Sequence, residues 1–294
     1  TLDMTIRASR GADHIFTLPD GAVLTHIRIN EVQQPLQSQG QKVVLPLTPG
    51  VQRVTLIWRN EQGIEMRYAT PAVDLGGPSV NSTLSVNLPH NRWVLLAGGP
   101  VMGPAVLFWG VLLVILGGSV VLARFGGTPL RVHHWFLLGV GLSQSSLWSI
   151  LIVAGWLLLL GWRQRWLHQE TGAFRFNVLQ LTLMLLTLAA GAALLGAIEQ
   201  GLLGPPDMQI TGHGSSAHQL IWYQDRVAGP LPSAWVISAP LLFYRGLMLA
   251  WALWLALAVL QWMGWAWNCF SAGGLWRRWR GRKGAQAEAA VMAR

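Results

Sequence analysis

Val178–Ile198 runs for 21 residues without a charged side chain. A bilayer core about 30 Å thick is crossed by about 20 apolar residues in helical form, so this stretch alone predicts a membrane-crossing helix. Three further runs share its character. Val94–Ala123 holds 30 residues without a charge. Its opening Gly98-Gly99-Pro100-Val101-Met102-Gly103-Pro104 breaks a helix, which places the continuous span at 105–123. Gly246–Trp276 is also charge-free and predicts a helix over 241–267. The last run, 135–162, is 28 residues long, but Ser143-Gln144-Ser145-Ser146 interrupts it and Gly139 and Gly141 precede the interruption. It reads either as one long tilted helix with a polar notch, or as a re-entrant hairpin with a half-helix near 135–142 and a longer one near 147–161.

Composition agrees with a membrane protein. The apolar fraction is 52% and the charged fraction 11%, where a soluble domain is about a quarter charged. Disorder is excluded as well, because it needs low hydrophobicity and high charge. A single Cys269 leaves no internal disulfide and no cysteine-rich zinc site. All tryptophans but Trp58 lie at or after Trp93, and charge divides at the same place. Residues 1–92 carry eight Lys/Arg against seven Asp/Glu, whereas the rest carries thirteen against five. That excess flanks apolar runs, which fits cytoplasmic loops near anionic lipid. It forms no stripe on a soluble domain, so nucleic acid is not an expected partner.

Residues 1–92 read as strands. Leu2, Met4 and Ile6 alternate with polar neighbours, as do the residues of 23–29 and 54–58; 15–18, 42–47, 65–69 and 83–88 are further candidates. Turn signals separate them, among them Pro19-Asp20-Gly21, Thr48-Pro49-Gly50 and Gly76-Gly77-Pro78. About seven short strands at this spacing predict an antiparallel β-sandwich. The expected fold is thus a β-sandwich head over 1–92, a transmembrane helical region over 93–276 with three full spans plus one re-entrant or fourth span, and a basic cytoplasmic tail over 277–294. Thr1 stands where a start Met would, with no export signal after it, so a longer parent with an upstream signal is expected.

Charge also bears on topology. Arg124 and Arg131 follow the first span, Arg163, Arg165 and Arg175 follow the broken run, and Arg277, Arg278, Arg280, Arg282 and Lys283 follow the last. The long segment 199–239 has Arg226 against Glu199, Asp207 and Asp225. Short Arg-bearing loops stay in the cytoplasm. A re-entrant 135–162 satisfies every loop and puts both the head and 199–239 outside. Four full spans put the head inside and 199–239 outside.

The word order resembles a known family. Thr70-Pro71-Ala72-Val73-Asp74-Leu75-Gly76 leads into Leu88-Pro89-His90-Asn91-Arg92-Trp93, then Gly103-Pro104-Ala105-Val106-Leu107-Phe108-Trp109 and Leu137-Leu138-Gly139-Val140-Gly141-Leu142-Ser143-Gln144. Gly204-Pro205-Pro206-Asp207-Met208-Gln209 and Met248-Leu249-Ala250-Trp251-Ala252-Leu253-Trp254 follow. Together these resemble the C-terminal region of large, uncharacterised inner-membrane proteins of pseudomonad-like bacteria. The resemblance implies a longer parent with an extracytoplasmic β-rich part, and it brings no catalytic residues.

Candidate chemistry is sparse. His14, His26 and His90 are scattered, and Asp13 and Asp20 read as turn residues. In Gly212-His213-Gly214-Ser215-Ser216-Ala217-His218, flanked by Asp207 and Asp225, His213 and His218 are weak metal candidates at a spacing of five, whereas a helical zinc pair uses four. Ser215 and Ser216 lack a nucleophile elbow. Glu199 and Arg245 end and begin adjacent spans and form a candidate ion pair at one membrane face. Trp251, Trp254, Trp262 and Trp265 share a helix face that reads as lipid-facing. No catalytic residue, metal or cofactor is expected. The first reading is a multi-pass bacterial inner-membrane protein, non-enzymatic, that positions an extracytoplasmic head for envelope assembly or binding, with lipid and other envelope proteins as partners. A transporter or channel-like subunit using the polar break at Ser143, Gln144, Ser145 and Ser146 is the alternative. A membrane enzyme using the 207–225 loop is third.

Overall fold

The computed structural model describes residues 1–35, 38–61, 63, 65–124, 127–166 and 172–277. The chain divides into two compact units, one made of Thr1–Phe108 with Met208–Leu241, the other of Trp109–Asp207 with the chain from Leu242.

The first unit is antiparallel β throughout. Its opening part has strands β1 (Leu2–Ala8), β2 (Ala12–Thr17), β3 (Ala22–Ile29), β4 (Val32–Gln33), β5 (Ser38–Gln39), β6 (Lys42–Leu47) and β7 (Gly50–Asn60). They form a four-stranded sheet in the order β1-β7-β3-β4 and a three-stranded sheet β2-β6-β5. Period-two alternation turns every second side chain inward. Phe16, Ile27, Val43, Leu45, Val54 and Leu56 from the two sheets therefore share one core. β1, β2, β3, β6 and β7 follow the strands read from the sequence, the short β4 and β5 are additional, and among the described residues no helix occurs before Phe108.

The second part of this unit is assembled from distant chain segments. β8 (Arg67–Ala69), β9 (Ser79–Asn87), β10 (Arg92–Gly98) and β11 (Ala105–Val106) come from before the helices. β12 (Ile210–Thr211), β13 (Gln219–Val227) and β14 (Trp235–Pro240) come from after four of them. β9 pairs with β13 from Ser79↔Val227 to Asn87↔Gln219. β14 lies between β10 and β8. Val86, Val94, Leu220, Trp222, Ala234 and Val236 form their common core. β10 straddles residue 92, and the segment expected as a long loop at 199–239 supplies three strands and the last turn of a helix.

The Gly98–Pro104 stretch, expected to break a helix, is non-helical as read and packs over this core. A Cβ at Gly103 would overlap the Trp222 indole, and Tyr223 N–H donates to the Met102 carbonyl at 2.8 Å. The span placed at 105–123 accordingly begins later, because Ala105 and Val106 pair with Thr211 and Ile210.

The second unit is helical, with α1 (Phe108–Arg124), α2 (Val132–Leu142), α3 (Leu147–Trp166), α4 (Ala173–Leu203) and α5 (Leu241–Ser271). Three of these, α3 over Leu147–Gln164, α4 and α5, are long and apolar enough to cross a membrane. α1 has 17 residues, about 25 Å at 1.5 Å per residue. The run 135–162 is two helices with the break at Ser143–Ser146, as the polar patch suggested. Small residues set the helix approaches. A Cβ at Gly141 would overlap the Trp251 indole, whose Nε1–H donates to the Leu137 carbonyl at 2.8 Å. A Cβ at Gly161 would overlap the Gly127 carbonyl, so the α1–α2 connection lies against the C-terminal half of α3.

Candidate functional site

The polar break does not present free hydroxyls. Ser143 Oγ–H donates to the Val140 carbonyl at 2.7 Å and Ser145 Oγ–H to Leu142 at 2.7 Å. Ser146 and Ser149 hydroxyls meet at 3.2 Å. The Ser143 and Ser145 bonds return to carbonyls at the end of α2, and the Leu142 carbonyl also accepts the Ser145 backbone N–H at 3.0 Å. Gln144 Oε1 accepts the backbone N–H of Asp207 at 3.0 Å, which ties the break to the chain just beyond α4.

Glu199 and Arg245 are both exposed, and among the described residues no ion pair joins them. In the β unit, His213 takes a left-handed backbone with φ 47° and stacks on Tyr223 at 6.2 Å between ring centroids. His218 meets a different neighbour, His90, edge to face at 4.3 Å. The two histidines are thus engaged separately, and no group of three or more metal-ligating side chains occurs among the described residues. The His218 imidazole is held below its ordinary pKa, first by burial and then by His90 beside it.

The tryptophan face of α5 points the other way from expectation. Trp251 and Trp262 are buried. Trp254, Trp262 and His134 form an aromatic triangle, with His134 at 6.3 Å from Trp254 and 5.5 Å from Trp262. Packing against α2, not lipid, uses these rings.

The most demanding polar group went unmarked in the sequence. Arg163 reads there as a loop cation, yet it lies in α3 and is only 1% exposed. Its Nη1–H donates to Gln180 Oε1 and its Nη2–H to the Ala272 carbonyl, the latter at 3.0 Å. Gln180 in turn donates to the Phe270 carbonyl at 3.3 Å. Both acceptors are at the C-terminal end of α5, where carbonyls lack helical partners and the helix dipole favours a cation. The guanidinium also sits over Phe176 at 5.1 Å and Phe270 at 5.8 Å, a favourable cation–π arrangement. Asn177 closes the cluster: its side-chain N–H donates to the Arg277 carbonyl at 2.8 Å and its Oδ1 accepts the Arg277 backbone N–H at 3.0 Å. α3, α4 and α5 are therefore clamped together at one end by a charged group that no carboxylate among the described residues neutralises. The rest of the basic tail, from Arg278 on, lies outside the described residues.

No protein family, curated protein or solved structure matches this chain. Function must therefore be read from the geometry.

Proposed function

We propose that this chain is a multi-pass inner-membrane protein that holds a β head, read as paired β-sandwiches, on the outer face for envelope assembly or binding. The observation that carries the reading is the pairing of β9 with β13 and of β10 with β14. Paired strands share one side of a bilayer. The chain between them, α1 to α4, then crosses an even number of times, which four full spans with an inside head do not allow. α5 adds one more crossing and takes the tail to the opposite side.

The large exposed apolar surface supports lipid as the solvent. Leu181, Leu185, Leu188 and Leu195 on α4 and Leu253, Leu257, Leu260 and Met263 on α5 are all more than half exposed, far beyond the apolar patch a water-soluble monomer tolerates. In the arrangement we favour, α2 and α3 enter and leave on one side. The seat of Gly127 against Gly161 supports this, because it keeps Arg124 and Arg131 at the end of the bundle that holds Arg163 and Arg277. Positive-inside logic assigns that end to the cytoplasm. The resemblance to inner-membrane proteins with an extracytoplasmic β-rich part points the same way.

Cysteine labelling tests this, with Cys269 replaced and single cysteines at Ser85, Thr128 or Gln219. A membrane-impermeant maleimide applied from outside is expected to label positions 85 and 219 and to spare 128. Labelling of 128 with protection of 85 would overturn the reading.

A further inference from the structure

We propose that the head takes up an extended segment of another polypeptide, carrying alternate acidic and apolar side chains, in a cavity between the edges of β1 and β9. This rests on the head being the binding part of the protein. The cavity has a volume of about 850 Å³. Its lining includes every residue from Leu2 to Arg7 and every residue from Ser79 to Thr83.

That continuity is informative. Side chains of a strand alternate between faces, so a cavity lying on a sheet face touches every second residue. A cavity touched by consecutive residues of two strands lies along their edges. β1 ends its sheet in the order β1-β7-β3-β4, and among the described residues β9 pairs with β13 alone. An edge strand carries a row of backbone N–H and C=O groups that its own sheet leaves unpaired; on β9 the left-handed Asn81, φ 55°, interrupts that row. An open edge of this kind templates a further strand. A lipid chain or an apolar small molecule would leave those groups unbonded, whereas a peptide backbone satisfies them.

The side chains along β1 specify what the added strand carries. Leu2, Met4 and Ile6 are half-buried against the core of the first two sheets, while Thr5 and Arg7 are exposed on the other face. Arg53 is directly opposite Thr5 on β7, so Arg7 and Arg53 are diagonal neighbours on that exposed face. The carboxylate of Asp3, at the other end of β1, accepts the Thr55 hydroxyl at 2.6 Å. Carboxylates on alternate residues of the incoming strand would meet the two arginines. Its remaining side chains would face the apolar side, toward Phe16 and Leu75.

The test uses the full chain in detergent and an acetylated, amidated heptapeptide alternating Val with Glu, followed by fluorescence anisotropy. Saturable binding is expected, weakened at least about tenfold by Lys in place of Glu, or by methylation of alternate backbone nitrogens, which removes the edge hydrogen bonds. Arg7→Glu with Arg53→Glu, both on exposed side chains, should lower affinity for the Glu peptide and raise it for the Lys peptide. Binding that ignores backbone methylation, or that is unchanged in the double variant, would overturn the proposal, as would no binding of either peptide. Because the measurement is made in detergent, sidedness does not enter it. Failure here leaves the labelling result standing, and failure of the labelling leaves this result standing.

Discussion

Replacing Gly103 by alanine drives a methyl group into the indole of Trp222, the largest fully buried side chain in the β unit. Overpacking of this kind costs about 1–3 kcal/mol. The thermal midpoint of the head is expected to fall, read through the exposure of Trp222 fluorescence; an unchanged midpoint would show that the Gly98–Pro104 strap yields freely. Arg163 is a second residue with a large expected effect. Arg163→Met keeps apolar volume but leaves Gln180 Oε1 and the Ala272 carbonyl without their donor, at a cost of about 1–3 kcal/mol for each group left unsatisfied. Greater protease sensitivity after the end of α5 is the expected result, and Arg163→Lys should restore only part of the protection because one ammonium cannot reproduce the fork. His218 gives a pH dependence with a definite sign. Burial and His90 lower its folded pKa below 6.5, so the unfolded chain binds more protons across that window. Stability is then full above 6.5 and falls as pH drops through the lowered folded value. The midpoint of the head should decline on going from about pH 7.5 to about pH 5, and His218→Asn should flatten that decline; an equal slope in the variant would assign it to other groups.

Elements differ in how openly the sequence declares them. β1 to β3 and β6 to β9 are legible because burial alternates along each of them, which stamps period two on the residues; β4 and β5, of two residues each, are too short to show a period and are absent from the strands read in the sequence. β10 is hidden, because Trp93-Val94-Leu95-Leu96-Ala97 merges into the apolar run before α1 and an unbroken apolar run has no readable period. β13 carries a usable signal, with Leu220 and Trp222 buried on one face. Its charge balance and its place between spans read as a loop, and its partner β9 lies more than a hundred residues earlier. The α2–α3 break is legible because four polar residues cannot sit inside an apolar helix without local partners. Arg163 is not, since a cation near a helix end looks the same whether it snorkels into water or turns inward onto another helix. The β9–β13 register can be checked directly. Ser82 faces Gln224, a separation that a disulfide spans. Ser82→Cys with Gln224→Cys, in a chain lacking Cys269, is expected to cross-link on mild oxidation. Ser82→Cys with Gln219→Cys is offset by five residues along β13, about 16 Å at the rise of a strand, and should not. Equal cross-linking in both would refute the register.

At the scale of the whole molecule, the β unit is interrupted in sequence by four helices of the other unit. Its two halves stand in different positions toward that interruption. The sheets of β1 to β7 are complete by Asn60 and share a core of their own. Among the described residues, β8, β9 and β10 have no sheet partner until β13 and β14 arrive. They also lack Leu220, Trp222, Ala234 and Val236, most of their shared core. In the topology proposed above, those residues return to the head only after the intervening helices have entered the bilayer, so completion of the head waits on membrane insertion. Long-range pairing of this kind is slow, because the intervening loop must close before any contact rewards it. A chain ending at Leu203 separates the two halves experimentally. Limited proteolysis is expected to leave residues 1–60 resistant and to cut rapidly within 66–98, while the full chain protects both. Resistance of 66–98 in the shortened chain would mean that β9 and β10 hold without their distant partners, and the head would then be two independent parts joined late.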